Sequence, residues 1–239
     1  MENRSERWQK VIPECDHLVM WGAGDQGRVN RPILESLGCK IEALVDDTPG
    51  LVSPFKGVPL FRGQEELVRW LRERTTSRLG FVVAIGNPFG DVRCRLHDVL
   101  SKLGLAAVSF SDPTALLCRS AQIEPGLQVM PGAIVHNEAV IGRQCILNTR
   151  SLVEHDCVLE EGVEIGPGAT LAGRVHVGAN TWIGTGASVR PRIRIGRNSI
   201  VGAGAVVVSD IPDDVIAVGV PAKPMADRTP SSVRSTAQS

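Results

Sequence analysis

Residues 139–153 read AVIGRQCILNTRSLV, with an aliphatic side chain at every sixth position: Ile141, Leu147 and Val153. The same count passes through Ile123, Val129 and Val135 before them and Leu159, Ile165, Leu171, Val177, Ile183, Val189, Ile195, Val201 and Val207 after them. Two positions earlier the side chains are mostly small, as at Ala121, Ala133, Ala139, Cys145, Ser151, Cys157, Ala169 and Ala187, and a glycine often follows the aliphatic residue, as at Gly142, Gly166 and Gly184. A period of six fits neither an α-helix nor a hairpin. It fits a parallel β-helix in which each hexad is one short strand plus a corner. The aliphatic residue then fills the interior, and the small one sits where the corner is tight. Three hexads close a triangular coil of 18 residues, so the fifteen hexads make five coils, a prism about 24 Å tall at the ordinary strand spacing. Outward apolar residues such as Ile134, Leu152 and Trp182 would leave its flat faces better buried against a neighbouring copy.

Ahead of the repeat, apolar strands alternate with amphipathic helices in the β-α-β order of a parallel sheet. The expected elements are a strand over 17–21, a helix to about Leu37, a strand over 41–45, a helix over 64–74, a strand over 81–85 and a helix from about Asp91 to Leu103. Between the first strand and helix stands Gly22-Ala23-Gly24-Asp25-Gln26-Gly27, a G-x-G-x-x-G loop, with Asp46-Asp47 about 20 residues on, at the end of the next strand. The repeat begins near residue 121, which leaves room for one mononucleotide-binding half and none for a second half to hold a nicotinamide. NAD is therefore not expected. The loop reads as a site for one nucleotide moiety, with backbone amides toward phosphate and Asp46 or Asp47 toward sugar or base. The alternative is that the glycines serve only close strand–helix packing. The division expected is 1–108 for this α/β Rossmann-like domain, 109–120 for a linker around Asp112-Pro113, 121–226 for the β-helix and 227–239 for a polar, disordered tail.

Bulk composition narrows the function classes. The chain has 239 residues, 43% of them hydrophobic, and 26 Lys and Arg against 26 Asp and Glu, so no global field draws it to nucleic acid or to an anionic membrane. Six cysteines lie scattered without a C-x-x-C pair, and neither a signal peptide nor a membrane span is evident. The expectation is a reduced, cytoplasmic protein. His136, His155 and His176 lack the spacing of a zinc β-helix enzyme, so no metal is expected.

One hexad is interrupted by three ionisable residues, Glu154-His155-Asp156. With Val153 inward, they occupy the outer surface and the corner. The 18-residue count puts Asn137 one coil below His155 and Gly173 one coil above, which leaves space and a backbone N–H beside the imidazole. A histidine next to a carboxylate is held in one tautomer and suits removal of a proton from an attacking amine or hydroxyl. The plain alternative is a solvated histidine in a turn. Cys157 falls at a packed corner position, where a thiol is normally inert, so direct attack by the acceptor on a thioester is the simpler chemistry.

The hexads resemble the left-handed parallel β-helix of hexapeptide acyltransferases, which implies a homotrimer with acyl-CoA in the grooves between prisms. More specifically, the loop at 22–27, Val45-Asp46-Asp47, Ala84-Ile85-Gly86-Asn87, Leu147-Asn148-Thr149, Val153-Glu154-His155-Asp156-Cys157, Gly166-Pro167-Gly168-Ala169 and Gly219-Val220-Pro221-Ala222-Lys223 resemble the nucleotide-amino-sugar N-acetyltransferases and their sialic acid O-acetyltransferase relatives, the PglD and NeuD types. The resemblance covers residues 17–226 and implies acetyl-CoA as co-substrate and glycan biosynthesis as the setting. It makes His155 the general base and Asp156 its orienting carboxylate. Asn148 would lie near the acceptor amine, and the Gly173 amide would face the thioester oxyanion. Gly24, Asp25, Gln26, Asp46, Asp47, Gly86 and Asn87 would bind the nucleotide sugar. Glu164, Gly173, Thr185, Ala203 and Lys223 would line the acetyl-CoA groove. The chain departs from the family at Gln26 and at Glu164, each standing where a histidine is common. Arg190, Arg192, Arg194 and Arg197 fit either CoA phosphates or a solvated face. Two other functions stay open at this level: O-acetylation of a sugar hydroxyl by the same base, and a nucleotide-sensing trimeric scaffold without catalysis.

Overall fold

The computed structural model describes residues 8, 9, 11, 14–74 and 79–227, and its two parts follow the two periodicities of the sequence. Fifteen two-residue strands, from Gln122–Ile123 to Val206–Val207, recur every six residues, and each ends on one of the aliphatic positions. Every strand pairs in parallel with strands 18 residues away, as in Gln128↔Ile146, Leu152↔Thr170 and Val158↔His176. The outcome is a left-handed parallel β-helix with three faces, which among the described residues carry eight, seven and five strands. From Val129 to Val207 the inward aliphatic residues are at most 3% exposed. Each such burial contributes about 1.5–3 kcal/mol relative to an exposed side chain, so the repeat is also the main source of stability.

The corners have a period of their own. Every sixth residue from Gly126 to Gly204 takes a left-handed φ between 50° and 86°, including Glu138, Gln144, Arg150, Asp156, Arg174, Asn180, Arg192 and Asn198. These non-glycine residues are held there by a ladder between coils: the amide of Asp156 donates to the Asn137 carbonyl, that of Arg174 to His155, and that of Arg192 to Gly173.

Two boundaries differ from the sequence reading. The stretch 109–120, expected as a linker, carries strands Phe110–Ser111 and Leu116–Cys118, which pair with Gln128–Val129 and Ile134–Val135. The prism therefore begins before residue 121. Register 111, 117, 123 continues the hexads, but Ser111 breaks the aliphatic pattern because its buried hydroxyl accepts the Val11 amide at 2.9 Å. At the other end, Asp227 closes strand Lys223–Asp227, which returns antiparallel to Val215–Val218; the rest of the expected tail, 228–239, lies outside the described residues.

The front domain has a five-stranded parallel sheet in the spatial order Leu60–Phe61, Lys40–Val45, His17–Trp21, Gly80–Val83, Ala106–Ala107. Helix α1 (Asp25–Ser36) packs Ile33 and Leu34 on one face with Met20, Leu44 and Val82. Helices α2 (Gly63–Arg72) and α3 (Gly90–Lys102) pack Leu67 and Leu100 on the other with Val19 and Phe81. Strand order reverses between His17–Trp21 and Gly80–Val83, and the crevice at their carboxyl ends is where such sheets bind ligands. The domain sits on the eight-strand face, whose Phe110 and Met130 join the α1 core. The start of α3 rests on the edge between the eight- and five-strand faces, where Gly90 meets the Gly162 carbonyl so closely that a side chain has no room.

Candidate active site

At the switch point, the glycine loop is shaped by two close approaches. Gly22, at φ 109°, lies against the Ala84 carbonyl, and Gly27 lies on the Gly22 carbonyl, so a β-carbon at either would collide. Gly24, by contrast, opens onto free space at the N-terminus of α1, where no side chain caps the helix. The first helical amides face outward there, a ready anion site. Asp46 is spent on building the loop: its carboxylate accepts the amides of Ala23 at 2.8 Å and Thr48 at 2.9 Å. Burial pushes this carboxyl up, but those amide hydrogen bonds and Arg62 outweigh it and hold it below the usual carboxylate range. Asp47 is exposed beside it, and so is Asp25, with Arg28 at 3.7 Å. Gln26 turns toward the domain interface, where its amide nitrogen donates to Asn30 at 3.1 Å and Gln128 at 3.3 Å. Its donors are thereby engaged, and its oxygen points toward Gly86.

Next to Gly86 the two domains share a polar cluster. Glu164 Oε1 accepts the side-chain amides of Asn87 at 2.9 Å and Asn148 at 3.0 Å, and its Oε2 lies 3.4 Å from Arg93 Nη1. Arg93 is fully buried and also donates to the carbonyls of Ile85, Gly162 and Gln144. Glu164, expected to line the acetyl-CoA groove, is 3% exposed, and both of its oxygens are engaged within the chain. It belongs with Asn87 and Asn148.

His155 and Asp156 stand on the edge between the seven- and five-strand faces, both well exposed. His155 Nδ1 is 2.7 Å from Asp156 Oδ2. An ionised carboxylate only accepts, so Nδ1 carries a proton, and in the neutral imidazole Nε2 is then the nitrogen with the lone pair. The hydrogen bond from His155, with Arg174 nearby, holds the Asp156 carboxyl below its ordinary range. Nε2 leans over Gly173, and the imidazole itself fills the space the missing side chain leaves. Among the described residues the Gly173 amide has no backbone acceptor. Cys157 is buried, donates to the Ala172 carbonyl, and is pushed up to about 11 by burial, which removes it as a nucleophile at neutral pH.

The prism separates these groups. Asn148, Thr185 and Ala203 lie on the edge between the eight- and seven-strand faces, the latter two exposed and one coil apart, and Lys223 is exposed at the start of the returning strand. Alongside Asn148 and below Thr185 on that edge, a groove of about 610 Å³ is lined by Thr149, Arg150, Pro167 and Gly168. The edge carrying His155 lies opposite the face on which the front domain sits. Within one chain, then, the nucleotide crevice, Asn148 and the Thr185 edge adjoin one another, while His155 and Gly173 point away from them. The sequence reading missed Arg93, Asn30, Gln128 and Gln144, which fix the domain junction, and Arg62, whose guanidinium holds the carbonyls of Asp46, Thr48 and Leu51. Their partners are too distant in sequence for a local pattern. Among the described residues no three His, Cys, Asp or Glu side chains gather as a metal site, and no helix is long and apolar enough to cross a membrane.

Residues 174–209 match the bacterial transferase hexapeptide (six repeats) family model. GDP-perosamine N-acetyltransferase of Escherichia coli O157:H7 is 32% identical over 165 residues, which span 69% of this chain and 73% of that protein. The crystal structure of a histidine-to-alanine variant of GDP-perosamine N-acetyltransferase from Caulobacter crescentus, in complex with CoA and GDP-perosamine, superposes with a TM-score of 0.81 at 35% identity, covering 90% of this chain and 99% of that one. The acetyltransferase domain of PglB from Neisseria gonorrhoeae, in complex with acetyl coenzyme A, gives 0.76 at 32% identity, covering 88% and 99%.

Proposed function

Because this chain belongs to the hexapeptide-repeat sugar N-acetyltransferases, we propose that it moves the acetyl group of acetyl-CoA onto the amine of a GDP-linked amino sugar, with His155 as general base. The observation that carries the reading is the His155–Asp156 pair, which leaves an unprotonated Nε2 beside the Gly173 amide. The amine nitrogen attacks the thioester carbon while Nε2 takes its proton. The oxyanion of the tetrahedral intermediate is met by the Gly173 N–H. As the C–S bond breaks, the imidazolium returns the proton to the departing CoA sulfur.

The acceptor's phosphates rest on the amides at the start of α1, its nucleoside lies toward Asp47, and its amino sugar reaches Asn87 and Asn148. Thr185, Ala203 and Lys223 line the path of CoA. Since His155 lies on the opposite edge of its own prism, the working site forms between copies: one contributes the crevice and the Asn148 edge, the next contributes His155 and Gly173. A homotrimer closes this arrangement, each copy giving its Asn148 edge to one neighbour and its His155 edge to the other. Dependence on acetyl-CoA and a nucleotide sugar puts the enzyme in the cytoplasm.

The test is release of CoA with acetyl-CoA and a panel of GDP-, UDP- and dTDP-linked amino sugars. GDP-perosamine, the acceptor named for the relatives, is expected to turn over, and His155→Ala to lower kcat by about 10²- to 10⁴-fold. Turnover of sugar hydroxyls but of no amine would defeat the proposal.

A further inference from the structure

We infer that Glu164 is a positioning residue for the acceptor: it turns the amides of Asn87 and Asn148 so that their two carbonyl oxygens form a cradle for the sugar's N–H donors. The inference rests on the amino-sugar reading and deepens it.

A side-chain amide has a donor end and an acceptor end, and only its partners decide which faces a ligand. Both amides here donate to one carboxylate oxygen, Glu164 Oε1, at 2.9 and 3.0 Å. Each Oδ1 is thereby aimed away from Glu164. Asn87 is exposed and follows Gly86 at the mouth of the crevice, and Asn148 is half-buried on the adjoining edge of the prism. One oxygen thus comes from each domain. A site that turns two carbonyl oxygens toward the ligand favours an amine or ammonium over a group that can only accept. Arg93 stabilises the arrangement: it neutralises Glu164 from behind and ties the carboxylate to Ile85, Gly162 and Gln144, on both sides of the domain junction. Oε2 is engaged there, which leaves Oε1 for the two amides.

The test separates the sugar's amine from the rest of the ligand by measuring, in calorimetry, the ratio of the Kd for GDP to that for GDP-perosamine. Two variants are compared with wild type, Glu164→Gln and the double variant Arg93→Met with Glu164→Met, which replaces the buried pair with apolar residues and spares the fold an unpaired charge. Wild type is expected to bind GDP-perosamine more tightly than GDP. In the double variant that preference falls by about tenfold, as expected for loss of hydrogen bonds to a charged donor, while affinity for GDP itself stays within about twofold. The KM for acetyl-CoA is likewise expected to stay within about twofold. The Glu164→Gln variant, which keeps one acceptor oxygen, falls between the two. An unchanged ratio in folded variants overturns the inference, as does a wild type that binds GDP-perosamine no better than GDP. A rise in the KM for acetyl-CoA alone overturns it too, by returning Glu164 to the thioester side. Preferential binding without acetyl transfer would leave the cradle standing and remove the catalytic reading instead.

Discussion

The imidazole of His155 occupies the volume that a side chain at position 173 would need, so the residue one coil above decides where the base sits. Gly173→Ala is expected to swing the ring out of line and to lower kcat by about 10- to 100-fold, since small misplacements of a reacting group carry costs of that order. Circular dichroism and thermal melting report whether the prism is otherwise intact. Unchanged kcat in a folded Gly173→Ala protein would show that the ring has no fixed seat.

Asp156 accepts from Nδ1, and an amide in its place can offer N–H instead and trap the opposite tautomer. Asp156→Asn should therefore reduce kcat by about 10- to 100-fold with little change in either KM, the moderation reflecting an exposed pair. The Asp156 carboxyl is held low chiefly by His155 and then by Arg174, so it stays ionised through the neutral range, and its support is lost only as pH falls through its lowered value. A pH–rate profile of Asp156→Asn should accordingly be depressed across the neutral range and converge with wild type only in acid.

Asp46 links the glycine loop to the next strand, and its carboxyl is held low despite partial burial. The sign follows from linkage: a carboxylate lowered in the folded state stabilises at pH values above its unfolded value, and the gain disappears as pH falls through the folded value. Asp46→Asn should lower Tm by about 2–4 °C at pH 7, and the gap should close below about pH 4. A gap that persists in acid would place the effect in packing rather than charge.

If the site is shared between copies, two inactive chains can repair each other. His155→Ala and Asn148→Ala subunits, co-expressed in equal amounts, should recover about one quarter of wild-type activity per site, because one of four pairings joins an intact edge from each. No recovery in mixed assemblies confirmed by differential tagging would place the whole site within one chain.

The fold was legible to an unusual depth because a six-residue period leaves one aliphatic position per strand, and all fifteen of those positions close the observed strands. The loop at 22–27 was legible for a similar reason: its spacing carries its mechanics, and Gly22, Gly24 and Gly27 take three different roles. What escaped notice lay where tertiary partners override local pattern. Ser111 hid the first hexads because its polarity is paid back by Val11, a partner 100 residues away. Glu164 occupies an outward strand position like any surface carboxylate, and only Arg93, 71 residues earlier, makes it internal. The left-handed corners at Arg150, Arg174 and Arg192 give no local signal either, since their support comes from carbonyls 19 residues back.

The strict 18-residue register makes the prism a ruler. Excising one whole coil above Gly173 would keep each face in phase and each inward aliphatic residue over another, yet bring everything beyond it about 4.8 Å closer along the axis. Reach toward a long, thin cofactor is then graduated in fixed steps, and a relative with one coil more or fewer would differ in span without any change in the chemistry at His155.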